Sequence, residues 1–387
     1  MTVKVKNEKI YHKLMESAKK VGQLAEKESK QADLNATISQ QVVDIIVEEE
    51  INRLILPKEY GWPQIDFTTF SDMVKTVGSY NLSAAWLTYF FSLHNSWAAF
   101  LPKHRTDEIV NDGGLLADIF SPIGKAERCE GGFLLSGKWN FVSGVNYSEW
   151  IALGAMYVEE GKGKPERLGL CCRVSELTVL DDWDYLGIRG SGSNSVVADN
   201  LFIPDDMVLR FSTLIENRIP DDSRDKDYLY YDVPFFSAFY VGFPSMAIGA
   251  AERLIDEYKT RTHKRVRANG VHESTTAKAQ RTLAELSLKH KTSLALMKEY
   301  IQMLETDNRQ YHPSEYMALR VKIIQNCVDI SVKVTLSLGA TSLVKGTVIE
   351  TMTRDLLAIA THVTSLYEDG IEGYGKHLFD YESFLLG

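Results

Sequence analysis

In this 387-residue chain the side chains able to do chemistry gather in the stretch GKWNFVSGVNYSEW, residues 137–150. It reads as a strand through Lys138, Trp139, Asn140, Phe141 and Val142, a turn at Ser143 and Gly144, and a second strand entered at Trp150. A glycine-bracketed aromatic strand that breaks at a serine suits a flat apolar ligand needing one or two hydrogen bonds along its edge. Taken alone, the stretch reads first as an ordinary hairpin whose aromatics fill a sheet core. A second candidate lies in residues 81–101, where Trp86, Phe90, His94, Trp97 and Leu101 recur at helical steps. Such a stripe is normally core, and a histidine on it is as readily a satisfied core residue as a functional one.

Other chemistries find little support. In LGIRGSGSNS, Gly190 and Gly192 begin a G-x-G, but the third glycine is missing and the strand-like VVADNLFIP follows where a phosphate-binding helix should start. No P-loop, HExxH, GxSxG or EF-hand pattern occurs, and His272-Glu273 lacks a zincin's second histidine. Cys129, Cys171, Cys172 and Cys327 have no zinc-type spacing, so no metal site is expected and they read as reduced thiols. A net charge of −9, with Lys and Arg spread along the chain, argues against nucleic acid. The charged start MTVKVKNEKIYHK has no apolar signal region, and the apolar run 82–101 is interrupted by polar residues, so a cytoplasmic protein without a membrane span is expected.

The elements that must position these residues fall into three groups. Residues 1–113 carry helical periodicity, with Asp66 as a helix cap after the loop LPKEYGWPQID. From Gly113-Gly114 the pattern shifts to short apolar and β-branched runs, predicting a β-domain over 114–210, a small barrel or sandwich. Residues 211–232, polar around DDSRDKD, read as a connecting loop. Helical periodicity returns over 233–387, with stretches near 238–262, 283–304, 319–334 and 346–364 giving a four-helix bundle. The fold class is therefore α+β.

That order meets a set of motifs that resembles the acyl-CoA dehydrogenase superfamily of flavoproteins from Pro57 almost to the C-terminus. PKEYGW is similar to its entry loop, GKWNFVSGVNYSEWIALGA to its flavin-edge strand pair, LGIRGSGSNSVVADNLFIPDD to its late β-domain signature, and TRDLLAIATH to its closing Arg-Asp motif. Within the superfamily, AAWLTYFFSLHN, FVSG and His362, seven residues after Asp355, resemble the oxygenase components of two-component flavin-dependent monooxygenases of the p-hydroxyphenylacetate hydroxylase and dibenzothiophene monooxygenase type.

The resemblance implies a monooxygenase that uses O2 and reduced FMN or FAD, delivered by a separate flavin reductase, to oxygenate a small apolar or aromatic substrate through a flavin C4a-hydroperoxide. It implies catalytic roles for His94, Ser143 and His362, and flavin contacts from Trp86, Ile119, Phe120, Ser121, Phe141, Val142 and Ser143. Arg261, Ala340 and Thr341 would meet the cofactor's phosphates and tail. It further implies a homo-oligomer, a dimer of dimers. The plainer readings stand beside these: His362 as a helix-end histidine, Ser143 as a turn residue, Arg354-Asp355 as a structural pair, Arg261 as part of a solvated basic face. Two alternatives remain, an acyl-CoA dehydrogenase with Glu368 of LYEDG as its base, and a non-catalytic flavin-binding protein. Counted from Arg354-Asp355, Glu368 falls five residues late and Val363 occupies the base's slot.

Overall fold

The structure, a computed structural model, describes residues 7–60, 64–159, 165–216, 228–306 and 310–381. The end of PKEYGW, all of DDSRDKD and the last six residues lie outside the described residues.

Six α-helices come first among the described residues: α1 (Glu8–Lys27), α2 (Ser29–Asn35), α3 (Gln40–Glu48), α4 (Phe67–Gly78), α5 (Leu82–Leu93) and α6 (Lys103–Asn111). The α1 helix buries Leu14, Ala18, Val21 and Ala25 at alternating steps of four and three, one stripe against the core. Asp66 caps α4 by accepting from the Thr69 amide at 2.6 Å, and Asn81 caps α5 by accepting from the Ala84 amide at 2.9 Å. Every residue of α5 is buried, so its periodicity does not mark a face. The single helix expected through Leu101 tightens at His94 into a 3-10 segment, His94–Phe100. Two side chains account for this. Ser92 Oγ bonds back to the Thr88 carbonyl at 2.6 Å, and Asn95 Nδ2 donates to the carbonyls of Asn52 at 2.6 Å and Gly114 at 2.8 Å, drawing the chain off the helical path.

Among the described residues seven strands follow: β1 (Leu116–Cys129), β2 (Gly132–Trp139), β3 (Trp150–Val158), β4 (Pro165–Arg173), β5 (Thr178–Val179), β6 (Val196–Pro204) and β7 (Val208–Arg210). They form one sheet in the order β5-β6-β2-β1-β3-β4-β7. The hairpin reading of residues 137–150 is corrected here. β2 and β3 do not pair; β1 lies between them, antiparallel to β2 and parallel to β3. The first strand ends at Trp139, and the stretch 140–149 crosses the end of β1 to reach β3.

The β1–β3 register shifts between Ile119 and Gly124, which frees Phe120, Ser121, Pro122 and Ile123 from the ladder. Gly154 on β3 makes room for this irregularity, since a Cβ there would lie 2.5 Å from the Ser121 carbonyl oxygen.

Residues expected to be a connecting loop contain α7 (Phe211–Ile215), anchored by buried Phe211 and Leu214, and Tyr228, Tyr230 and Tyr231 are buried too. After α8 (Phe235–Phe239) come four long helices, α9 (Gly242–Lys264), α10 (Ala277–Glu305), α11 (Pro313–Leu338) and α12 (Val348–Ala360), and a fifth, α13 (Tyr367–Leu378), packs on α11. No helix of the described residues is long and apolar enough to cross a membrane.

Candidate active site

A cavity of about 710 Å3 opens where α5, the sheet, α8, α9 and the end of α12 meet. That is the size of a small-molecule pocket. Its walls are mainly aromatic, with Trp86, Phe90, Phe120, Phe239 and Phe243 around a few polar groups.

His94 enters from the start of the 3-10 segment, wedged between Phe90 (ring centroids 3.9 Å apart) and Phe239 (3.8 Å). Its Nδ1 lies 2.7 Å from Oδ2 of Asp118 on β1, and the two residues are 2% and 6% exposed. With the carboxylate accepting, Nδ1 carries the proton and Nε2 holds a lone pair. That Nε2 is buried and has no hydrogen-bond partner. An unpaired acceptor on a rigid, carboxylate-oriented imidazole is the arrangement of a general base awaiting a ligand proton.

His362 lines the same cavity from the turn after α12. Its Nδ1 accepts from the Thr364 amide at 3.3 Å and lies 2.9 Å from Thr364 Oγ1, which leaves the ring proton on Nε2. Desolvation, then the Arg320 guanidinium and His94, push its pKa down to about 4. The two imidazoles are thus complementary, one presenting a lone pair and the other an N–H.

Stability must follow the titration of His362. A histidine held neutral by the fold keeps its contribution above the unfolded pKa near 6.5 and loses it as pH falls through about 4. Between pH 7 and 4 the wild type should lose on the order of 2 kcal/mol more stability than His362→Gln, a difference readable by urea denaturation at both pH values.

Ser143 is buried and tied on both sides. Trp86 Nε1 donates to its hydroxyl at 2.8 Å, and Ser193 Oγ lies 2.9 Å from it and 2.7 Å from Ser191 Oγ. The glycine-rich stretch that failed as a dinucleotide motif is therefore the partner of the serine turn. Its backbone confirms the pairing: Val142 donates to the Asn194 carbonyl at 3.1 Å and Gly144 to that of Ser191 at 3.2 Å. Phe141, at φ 68° in the left-handed region, is 51% exposed at the cavity wall, beside stacked Trp183 and Tyr185. A non-glycine held there marks a backbone fixed by its surroundings.

The loop that carries Ser191 and Ser193 is fastened to α12 by the Arg-Asp motif. Arg354 donates to the Leu186 carbonyl and pairs with Glu350 at 2.6 Å and Asp33 at 3.1 Å. Buried Asp355 accepts from the Ile188 amide at 2.7 Å, and desolvation raises its pKa to about 7.

The cavity thus brings together Trp86, His94, Ile119, Phe120, Ser121, Phe141, Ser143 and His362. Val142 is buried and does not line it. Arg261 lies elsewhere, on α9 with Glu257 at 3.2 Å, and Ala340 and Thr341 are exposed in the turn after α11. Asp118 escaped the sequence reading, although a lone carboxylate inside LLADIF, a buried apolar strand, is itself a sign of a partnered acid. Ser191 and Ser193 lie in the LGIRGSGSNS stretch, where the sequence reading assigns neither serine a role.

Residues 241–365 match the family described as acyl-CoA dehydrogenase, C-terminal domain. The whole chain superposes on butyryl-CoA dehydrogenase from Megasphaera elsdenii with a TM-score of 0.81 at 14% identity, covering 98% of this chain and 100% of that one. The fold is that of the acyl-CoA dehydrogenases. Within that fold the chain is a homologue of the oxygenase components of flavin-dependent monooxygenases. It is 23% identical over 365 residues to the oxygenase component of p-hydroxyphenylacetate 3-hydroxylase from Acinetobacter baumannii, covering 92% of this chain and 86% of the relative. It superposes on the 3-HSA hydroxylase from Rhodococcus sp. RHA1 with a TM-score of 0.87 at 22% identity, over 96% of this chain and 98% of that one. Further hydroxylases and monooxygenases align over 54–62% of their own length.

Proposed function

We propose that this protein is the oxygenase component of a two-component flavin-dependent monooxygenase, acting on a small aromatic substrate with O2 and with FMNH2 or FADH2 received from a separate reductase. The observation that carries the reading is the unpartnered Nε2 of His94, held by Asp118 and facing an aromatic cavity. Bound reduced flavin supplies the electrons by which one oxygen atom of O2 enters the substrate and the other leaves as water.

The residues present fit a flavin. Phe141, Trp183 and Tyr185 offer an aromatic wall, and Ser143 a hydroxyl at its edge, with the bonds to Trp86 and Ser193 fixing its direction. Trp86, Phe90, Phe239 and Phe243 keep water from the reacting atoms. His94 Nε2 takes the proton of a phenol, which makes the ring a better nucleophile, and Asp118 stabilises the imidazolium that results. His362 Nε2–H donates to a ligand oxygen without bringing a charge into the cavity.

The dehydrogenase alternative lacks its base. Glu368 is exposed in the first turn of α13 and does not line the cavity, whereas Val363 does. Among the described residues the lining carboxylate is Asp118, already bound to His94. Arg261, Ala340 and Thr341 do not line this cavity, so the cavity itself offers no support for their contacts with the cofactor's phosphates and tail. A homo-oligomer is supported by Leu288, Leu336 and Leu343, each more than 60% exposed on the bundle.

The test is to mix the protein anaerobically with reduced FMN or FAD, admit 18O2, and analyse a panel of phenols. One 18O atom per product molecule is expected. Release of all reducing equivalents as hydrogen peroxide across the panel, or bleaching of bound oxidised flavin by an acyl-CoA, would overturn the reading.

A further inference from the structure

Among the described residues two arginines line the cavity, and they differ in one respect. Arg354 is saturated by Glu350, Asp33 and the Leu186 carbonyl. Arg167, on β4, has no carboxylate partner among the described residues, and its Nε is buried without any hydrogen bond. Its guanidinium lies 4.8 Å from the centre of the Phe211 ring, a contact that orients it and supplies no acceptor. A guanidinium facing an apolar cavity with an orphaned donor loses hydration and gains no partner, so it awaits an anion.

The surroundings add positive charge and, among the described residues, no acid beyond Asp118. Tyr240, also on the cavity wall, has the guanidinium of Arg320 at 4.7 Å from its ring centre, and Arg320 is 4% exposed and donates to the Thr364 carbonyl. Asp118 is engaged by His94. A series of ring contacts joins the two residues, between His94 and Phe239 (3.8 Å), Phe239 and Phe120 (5.7 Å), Phe120 and Phe211 (5.4 Å), and on to Arg167.

We propose that Arg167 docks a carboxylate carried by the aromatic substrate, so that the ring lies at His94 and its acidic substituent reaches the Arg167 end of the cavity. This deepens the oxygenase reading and rests on it for the identity of the occupant. A guanidinium binds both oxygens of a carboxylate through parallel N–H donors, which a neutral amide cannot match. A flavin phosphate is the other source of the same chemistry, and the experiment separates the two.

The flavin-free protein is titrated with p-hydroxyphenylacetate, p-hydroxyphenylpropionate and p-hydroxybenzoate and with their primary amides, following fluorescence of Trp86 and Trp183 on the cavity wall. At least one acid should bind about tenfold or more tightly than its own amide. Arg167→Gln should erase that preference and Arg167→Lys should retain part of it. Arg210→Gln, which removes an exposed arginine paired with Glu166 on the neighbouring strand, should leave it intact and reports on the sheet's tolerance of a lost arginine. Equal binding of acids and amides, survival of the preference in Arg167→Gln, or no binding by any of the acids would overturn the proposal. So would a loss in Arg167→Gln of preference for FMN over riboflavin, which would assign the arginine to the cofactor. Failure of 18O transfer would defeat the oxygenase reading and leave this binding comparison unaffected.

Discussion

Replacing His94 by alanine is expected to lower the rate of substrate oxygenation about 100- to 1,000-fold while reduced flavin continues to be consumed by O2. The expectation follows from geometry. Nε2 of His94 is the unpaired acceptor of the cavity, and the ring is locked by Phe90, Phe239 and the 2.7 Å contact with Asp118. Without it a phenol keeps its proton and reacts as the weaker nucleophile, so electrons leave as hydrogen peroxide. Asp118→Asn should cost less, about tenfold, because an amide can still contact Nδ1 but no longer stabilises an imidazolium. The ratio of hydroxylated product to hydrogen peroxide, measured with each variant, reads both effects. A His94→Ala enzyme as tightly coupled as the wild type would remove His94 from the reaction.

The largest effect on the fold is expected from Gly187→Ala, a loss of about 2–4 kcal/mol. An added Cβ would overlap the carbonyl oxygen of Arg354 and lie 2.7 Å from its carbonyl carbon. Both are backbone, so no side chain can swing aside. The loop must then lift from α12, which breaks the Asp355 contact with the Ile188 amide and leaves a buried carboxyl without its donor. Ser191 and Ser193 ride on that loop, so flavin binding should weaken along with stability. Gly375→Ala on α13, where a Cβ meets nothing within 4 Å, is the matching control and should be neutral or stabilising by up to about 1 kcal/mol. Urea denaturation of both variants decides the matter, and equal stabilities would refute the close-approach argument.

Local signals in the sequence reached the elements and stopped at their pairings. The caps at Asp66 and Asn81, the stripe of α1 and the change of period at Gly113-Gly114 depend on residues a few positions apart, and those are legible. The partnership of Ser143 with Ser193, the insertion of β1 between β2 and β3, and the carboxylate behind His94 depend on residues 24 to 50 positions apart, and no local pattern encodes them. Residues 81–101 show how a correct pattern can mislead: burial on all sides made the aromatic stripe look like one long helix, while Asn95, bonded to two distant carbonyls, ends it at His94. The resemblance to flavin-dependent oxygenases supplied what spacing could not, and most of the residues it named line the cavity. It did not single out Arg167, because an unpaired arginine is recognisable only once the acids that might have neutralised it are placed.

The passage of residues 140–149 across the end of β1 also bears on how the chain reaches its native state. A hairpin turn closes on its own strands within microseconds, whereas this turn has no such template. Its amides at Val142 and Gly144 bond to Asn194 and Ser191, and Ser143 accepts from Trp86, so each tie closes a loop of about 50 residues, two toward the later loop and one back to α5. The helices form from local contacts and the sheet from distant ones, which places the serine turn among the last pieces to assemble. During refolding, the helical signal should therefore recover before Trp86 regains its native emission, and the enzyme acquires its ligand pocket only when the chain has otherwise finished folding.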